Sequence, residues 1–212
     1  MKLISILLFL FFFLFSIDSN AATFGFDCIT NNNAGNCGNG EGHLLVDVTN
    51  SNNGTTLFTF TNNGSGTFSI TQIYWDDSLL SNISQIINAI PDVKFFSENI
   101  HPSNLPGGNS INFQTTFALS ADNPTPHYGV NPGESLGIEF NLKDGKCFDD
   151  VLNNLDSGTL RIGLHVQSFD NFGSESFVND PKPVPEPTTM LLLGSGLIGL
   201  AGLVRRKFRK II

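Results

Sequence analysis

The residues able to do chemistry in this chain are few, and they stand apart. Its four histidines, His43, His101, His127 and His165, are isolated, with no pair at ligand spacing. His165 falls on the polar side of an alternating run, beside Arg161 and Gln167, where a solvated ring is expected. Of three cysteines, Cys28 and Cys37 bracket a loop of Asn, Gly and Ala, and Cys147 is distant. Two cysteines nine apart can pair in an oxidising compartment, so a Cys28–Cys37 disulfide is favoured and Cys147 is left over. A metal centre would call for a second cysteine pair or spaced histidines, and the sequence has neither. It also has no His-Glu-x-x-His. Gly35 to Gly40 has neither a lysine nor a following helix, so it reads as flexible loop and not as a phosphate cradle.

Two carboxylate pairs remain, Asp76-Asp77 and Asp149-Asp150. Adjacent residues on a strand point to opposite faces, whereas the carboxylates of a glycosidase face one substrate. Asp76-Asp77 therefore reads as a turn, with calcium held by loop carboxylates as the sharper alternative. Asp149-Asp150 stand where a short helix begins, and carboxylates interact well with that end. Tyr74 and Trp75 could stack on a sugar, although one Trp and two Tyr in the whole chain favour core packing. Asn53, Asn63 and Asn82 open Asn-x-Ser/Thr triplets, a weak glycosylation pattern. No catalytic, cofactor-binding or metal-ligating residue is assigned.

The elements around these residues are strands. Leu44, Val46 and Val48 alternate with polar or outward positions, as do Phe58 and Phe60, then Ile138, Phe140 and Leu142, then Leu160, Ile162, Leu164 and Val166. Ile111 to Leu119 gives the clearest alternation of all. Thr55 to Trp75 reads as a hairpin about Asn62–Gly66, with a phase change between Ile70 and Ile73 that predicts a bulge. Val93 to Ser97 is a short strand, Ser81 to Ile90 fits helix or strand, and Phe148 to Leu155 fits one or two helical turns. One-sided alternation marks antiparallel sheets. Seven or eight such strands predict an all-β fold, an antiparallel β-sandwich of Greek-key or jelly-roll type, with phenylalanines filling much of its core.

Charge narrows the partners. Between Ala22 and Pro187 five basic residues stand against eighteen acidic ones, a net charge of −13. Such a domain repels phosphate backbones, so nucleic acid is not an expected partner.

The ends carry addresses. Met1-Lys2, an apolar run from Leu3 to Ile17 and a small-residue site make residues 1–21 a signal peptide, with cleavage after Ala21 favoured over Ala22. The domain then spans 22–177. Residues 178–187, with prolines at 181, 183, 185 and 187, read as an extended linker. Residues 188–204 form an apolar segment, about 25 Å long as a helix, which is short for a membrane span of ~30 Å. Arg205, Arg206 and Lys207 follow it in a basic tail, residues 205–212, that keeps this end cytoplasmic as a stop-transfer signal.

Pro185-Glu186-Pro187, the apolar helix and the Arg-rich terminus resemble the PEP-CTERM sorting signal of exopolysaccharide-producing Gram-negative bacteria. The match from Val184 to Leu203 is nearly residue for residue. The resemblance implies recognition by an exosortase, a membrane-embedded transpeptidase that cuts near the motif. Pro185, Glu186 and Pro187 are then its recognition motif, as substrate. Several domain stretches, Phe26–Asn32 and Leu160–Gln167 among them, are similar to uncharacterised domains that travel with this tail. That likeness implies no activity.

The expected route is export by the secretion machinery, transient anchoring in the inner membrane, and release to the cell surface or extracellular matrix, near exopolysaccharide. The expected function is non-enzymatic, without a cofactor. A carbohydrate- or calcium-binding module is the alternative.

Overall fold

The computed structural model describes residues 21–52, 54–88, 92–97, 102–170 and 173–183. Ten strands form one antiparallel sheet: β1 (Ala21–Cys28), β2 (Leu44–Asn52), β3 (Thr55–Asn62), β4 (Ser69–Asp76), β5 (Leu80–Asn88), β6 (Phe95–Ser97), β7 (Phe117–Ala121), β8 (Ser135–Leu142), β9 (Arg161–Gln167) and β10 (Ser174–Pro183). Their order across the sheet is β5-β8-β3-β2-β1-β10-β9-β4-β7-β6. The sheet curls until its two ends, β5 and β6, meet, giving a nearly closed barrel. The all-β antiparallel class is as the alternation predicts. The two facing layers, however, belong to one continuous ladder and not to two separate sheets.

The inward faces supply the core. Val46 and Val48, Phe58 and Phe60, and Ile138 and Phe140 face Ile73, Trp75, Ile162, Leu164 and Phe177, all of them buried. Trp75 lies edge-on to Phe60 and Phe140 from the opposite layer, at 5.7 and 5.0 Å between ring centroids. Rings in this geometry add to the area they bury.

Three strand expectations change. First, β3 and β4 do not form a hairpin. β3 lies between β2 and β8, and β4 between β9 and β7. The chain crosses between layers instead, tied by buried Asn62, whose Nδ2 donates to the carbonyls of Phe68 (2.8 Å) and Val130 (3.1 Å). The predicted bulge in β4 is present, between Ile70 and Gln72. Second, of the Ile111–Leu119 run only Phe117 onward is strand. A 3-10 turn at Gly108–Ile111 and a left-handed Asn112 come first. Ile111 and Phe113 pack with Leu105, Tyr74, Ala118 and Val178 on the outside of the sheet. This second apolar cluster explains the pattern without a strand. Third, Ser81–Ile90 is largely strand β5, and bulges at Leu80/Asn82 and Ile83/Gln85 remove its simple alternation.

The domain also runs further than expected. Residues 178–183 are strand and not linker, with Phe24 opposite Pro183. Beyond Val178, β10 has β1 as its one neighbour. Prolines two apart lose N–H groups along a single edge, which a strand with one neighbour tolerates.

Two helices lie at opposite rims. α1 (Ala34–Glu41) joins the end of β1 to the start of β2, and α2 (Phe148–Ser157) joins the end of β8 to the start of β9. Antiparallel pairing therefore brings both Ala21 and Pro183 out at the rim that carries α2. α1 replaces the flexible loop expected at Gly35–Gly40. Three glycines make it a poor helix by propensity. Its cap Asn33 accepts from the amides of Gly35 and Asn36, and Gly40 lies so close to Phe177 that a Cβ would stand 2.2 Å from the ring.

A Gly40→Ala chain should lose about 1–3 kcal/mol in urea unfolding, as overpacked sites do. Gly38 has open space around it, so Gly38→Ala should be neutral or gain up to ~1 kcal/mol from helix propensity. Equal losses at both positions would show that contact with Phe177 is not what selects Gly40.

Candidate functional site

The Cys28–Cys37 disulfide is formed, with 5.3 Å between Cα atoms. It fastens α1 to the end of β1. Beneath it lies Glu175, fully buried, a residue that spacing did not single out. Its carboxylate accepts from the Thr30 hydroxyl (2.5 Å) and from the backbone amides of Asn32 (2.9 Å) and Asn33 (2.7 Å). A buried carboxylate is tolerable when so fully bonded. Cys28, Cys37 and Glu175 bring ligand-type atoms within 4.8 Å of one another, but the two sulfurs are joined to each other and are not thiolates. The group holds the α1 rim together. Cys147 is free and exposed, and caps α2.

The acidic pairs have structural work. Asp76 bonds the Arg161 guanidinium and accepts from the Gln114 amide at 3.0 Å. Arg161 also donates to the carbonyls of Ile111 and Asn112, so this ion pair fastens the outer loop to the sheet. Asp77 accepts from the amides of Leu79 and Leu80 and closes the β4–β5 turn, as the turn reading expects. Burial pushes its carboxyl above the usual range, although the two amides oppose the shift. Asp150 accepts from the Cys147 amide at 3.0 Å, and that bond holds its carboxyl below the usual range. The sugar platform expected of Tyr74 and Trp75 is not there. Both rings are buried, Tyr74 in the outer cluster and Trp75 in the main core, on opposite faces of β4. Asn63 and Asn82 are exposed, and Asn53 and His101 lie outside the described residues.

The described histidines, His43, His127 and His165, stay apart. Half-buried His43 bonds the Asn39 carbonyl at 2.8 Å, and His127 lies against Tyr128 with ring centroids 4.8 Å apart. His165 is not the simply solvated ring expected. It is half-buried on the outer face of β9, with Nδ1 3.3 Å from Ser176 Oγ and Nε2 3.3 Å from Gln167 Nε2. Burial lowers its pKa, partly opposed by the Glu175 charge. Beside it opens a groove of about 350 Å³, lined by Thr71, Gln72, Ser120, Asn123, Thr125 and Gln167.

The remaining site residues, Pro185, Glu186, Pro187, Arg205, Arg206 and Lys207, lie outside the described residues, as do 1–20 of the leader and the apolar segment 188–204. Among the described residues no helix is long and apolar enough to cross a membrane. The described part is thus a nearly closed antiparallel β domain whose two chain ends leave by one rim. Residues 183–207, which continue directly from β10, match the family model of the PEP-CTERM protein-sorting motif. The chain therefore carries a C-terminal PEP-CTERM sorting motif, which supports an exported protein sorted by an exosortase. No curated protein and no solved structure matches it.

His165 sets a pH prediction. Its folded pKa lies below its unfolded value of 6.5, so the unfolded chain takes up the proton first. Its contribution to stability is present above pH ~6.5 and is lost as the pH falls below it. Urea midpoints at pH 7.5 and 5.5 should differ more for the native chain than for His165→Gln. An unchanged difference would remove His165 as the source.

Proposed function

We propose that this chain is a non-enzymatic cell-surface or extracellular-matrix protein, delivered by its C-terminal signal and retained near exopolysaccharide. One observation carries the reading: the sorting motif begins at Pro183, the residue with which the last strand ends. Folded cargo and processing address are therefore continuous. The leader, residues 1–21, would be removed on export by the secretion machinery. Residues 188–204 would hold the chain in the inner membrane, and Arg205, Arg206 and Lys207 would keep its end cytoplasmic. An exosortase would then cut near Pro185-Glu186-Pro187 and free the domain. Because β1 and β10 leave the α2 rim together, that rim would face the membrane until the cut. The opposite rim, with α1 and the disulfide, would face outward.

The motif lies close to the fold. From Pro183 to Pro185 is two residues, about 7 Å of extended chain. The domain is therefore not held off by a long spacer. A cut at the motif would leave β10 whole and the product folded.

The second reading, a binding module, divides in two. Calcium at Asp76-Asp77 is disfavoured, because Asp76 is committed to Arg161 and Asp77 to the Leu79 and Leu80 amides. Carbohydrate is favoured by the groove beside His165, whose polar lining is uncharged.

Intact mass of the protein from its host should show a form that begins at Ala22 or Thr23 and ends near Pro187. Glu186→Ala should enrich the form that retains Arg205 to Ile212 in the inner membrane. If the native chain keeps that tail throughout, the sorting route is wrong.

A further inference from the structure

One row on the outer sheet face carries no carboxylate, ammonium or guanidinium group and grades from buried at one end to exposed at the other. Strand register sets Phe96 opposite Ser120, Ser120 opposite Gln72, Gln72 opposite His165, and His165 opposite Ser176. Directly opposed residues share a face. These five therefore form a straight row across β6, β7, β4, β9 and β10. At ~4.8 Å between strands the row is about 19 Å long. Its β10 end is closed, since Ser176 is fully buried. Its β6 end is open, since Phe96 is 48% exposed, the more exposed of two such large apolar side chains among the described residues.

The row is fixed in place by its own bonds. Gln72 Nε2 donates to Ser120 Oγ at 3.2 Å, His165 Nδ1 is paired with Ser176 Oγ, and His165 Nε2 with Gln167. Hydroxyls and side-chain amides both donate and accept, the capability a hydroxyl-rich ligand needs. Asn123 and Thr125 add a wall along the α1 rim, completing the groove of about 350 Å³. The ligand class follows from the chemistry. A groove whose polar lining is wholly uncharged has nothing to neutralise a phosphate or a uronate. The charge of −13 between Ala22 and Pro187 repels polyanions as a whole. Convergent neutral donors and acceptors beside an exposed ring suit a ligand with many hydroxyls and apolar C–H faces.

We propose that this row and groove bind a neutral carbohydrate chain. Phe96 stacks on the C–H face of one sugar ring, while Gln72, Ser120, Asn123 and Gln167 bond the hydroxyls of the next rings toward β9. The site rests on the reading that the domain works outside the cell near polysaccharide. It gives that reading a ligand class and an address.

The test uses the protein purified from its host in the form the host produces, on an array of neutral and uronate-containing oligosaccharides, with calorimetry on the best binders. Neutral oligosaccharides should bind. Phe96→Ala should weaken them about tenfold, as loss of one stacked ring does, and Gln72→Ala by a similar factor. Leu45→Ala, which shortens a half-buried apolar side chain on the outer face of β2 across the barrel, should leave affinity unchanged. Urea midpoints of all three variants show whether each is folded. Binding confined to uronate-containing chains, no binding by the native protein, or equal losses at Leu45 and Phe96 would overturn the site. Location and tail removal are read separately, by fractionation and mass. A correctly trimmed protein that binds no glycan refutes the site alone, and a glycan-binding protein that is never trimmed refutes the sorting route alone.

Discussion

The pairing of β1 with β10 is the constraint on which the rest of the structure depends. It joins the first described strand to the last and lies at the middle of the sheet order, with β5-β8-β3-β2 on one side and β9-β4-β7-β6 on the other. Without it the two layers would share only local links, such as the bridge from Ile70 to Val130. A contact between the two ends of a chain closes a long loop, and that entropy must be offset by what the closed state gains. Here the gain is large: Phe24, Phe26, Phe177 and Val178 are all buried along the seam. The sheet cannot close until β10 has been made.

The remaining parts protect that closure. At one rim the disulfide and Glu175 bind α1 and the 29–33 loop to β1 and β10. At the other, α2 places Phe148, Val151 and Leu155 in the core. On the outer face, Leu105 lies over Gly163, where a Cβ would stand 2.7 Å from its side chain. The Asp76–Arg161 pair anchors the same loop. The acidic and aromatic residues that looked most like a site are thus parts of the scaffold. What they leave is the outer row from exposed Phe96 through half-buried Ser120 and Gln72 to half-buried His165.

Much of this was legible in the sequence, and the failures have physical causes. Alternation identifies β2, β3, β8 and β9, because each buries one face and that pattern has period two. It misreads Ile111–Phe113, because a loop lying on a sheet buries alternate residues just as a strand does. The Thr55–Trp75 hairpin failed because turn chemistry at Asn62–Gly66 says that the chain bends, not which strand it then joins. Cys28–Cys37 was legible from loop length. Glu175 was not, since its partners Thr30, Asn32 and Asn33 lie far away in sequence. Phe96 was hidden among twenty phenylalanines, and only register shows that it faces outward beside Ser120. The sorting motif was the most legible feature, because an exosortase reads a linear string. What changed is its setting: the prolines at 181 and 183 belong to β10, and the address begins at the edge of the fold.

Amide hydrogen exchange on the processed, released protein tests this account most directly. If the β1–β10 seam holds the domain together, the amides of Phe26 to Cys28 and Phe177 to Asn179 will exchange as slowly as those of β3 and β8, at the rate set by global unfolding. Exchange at the seam as fast as in the 102–116 loop, with β3 and β8 still protected, would show two layers that are stable without it, and would contradict the account.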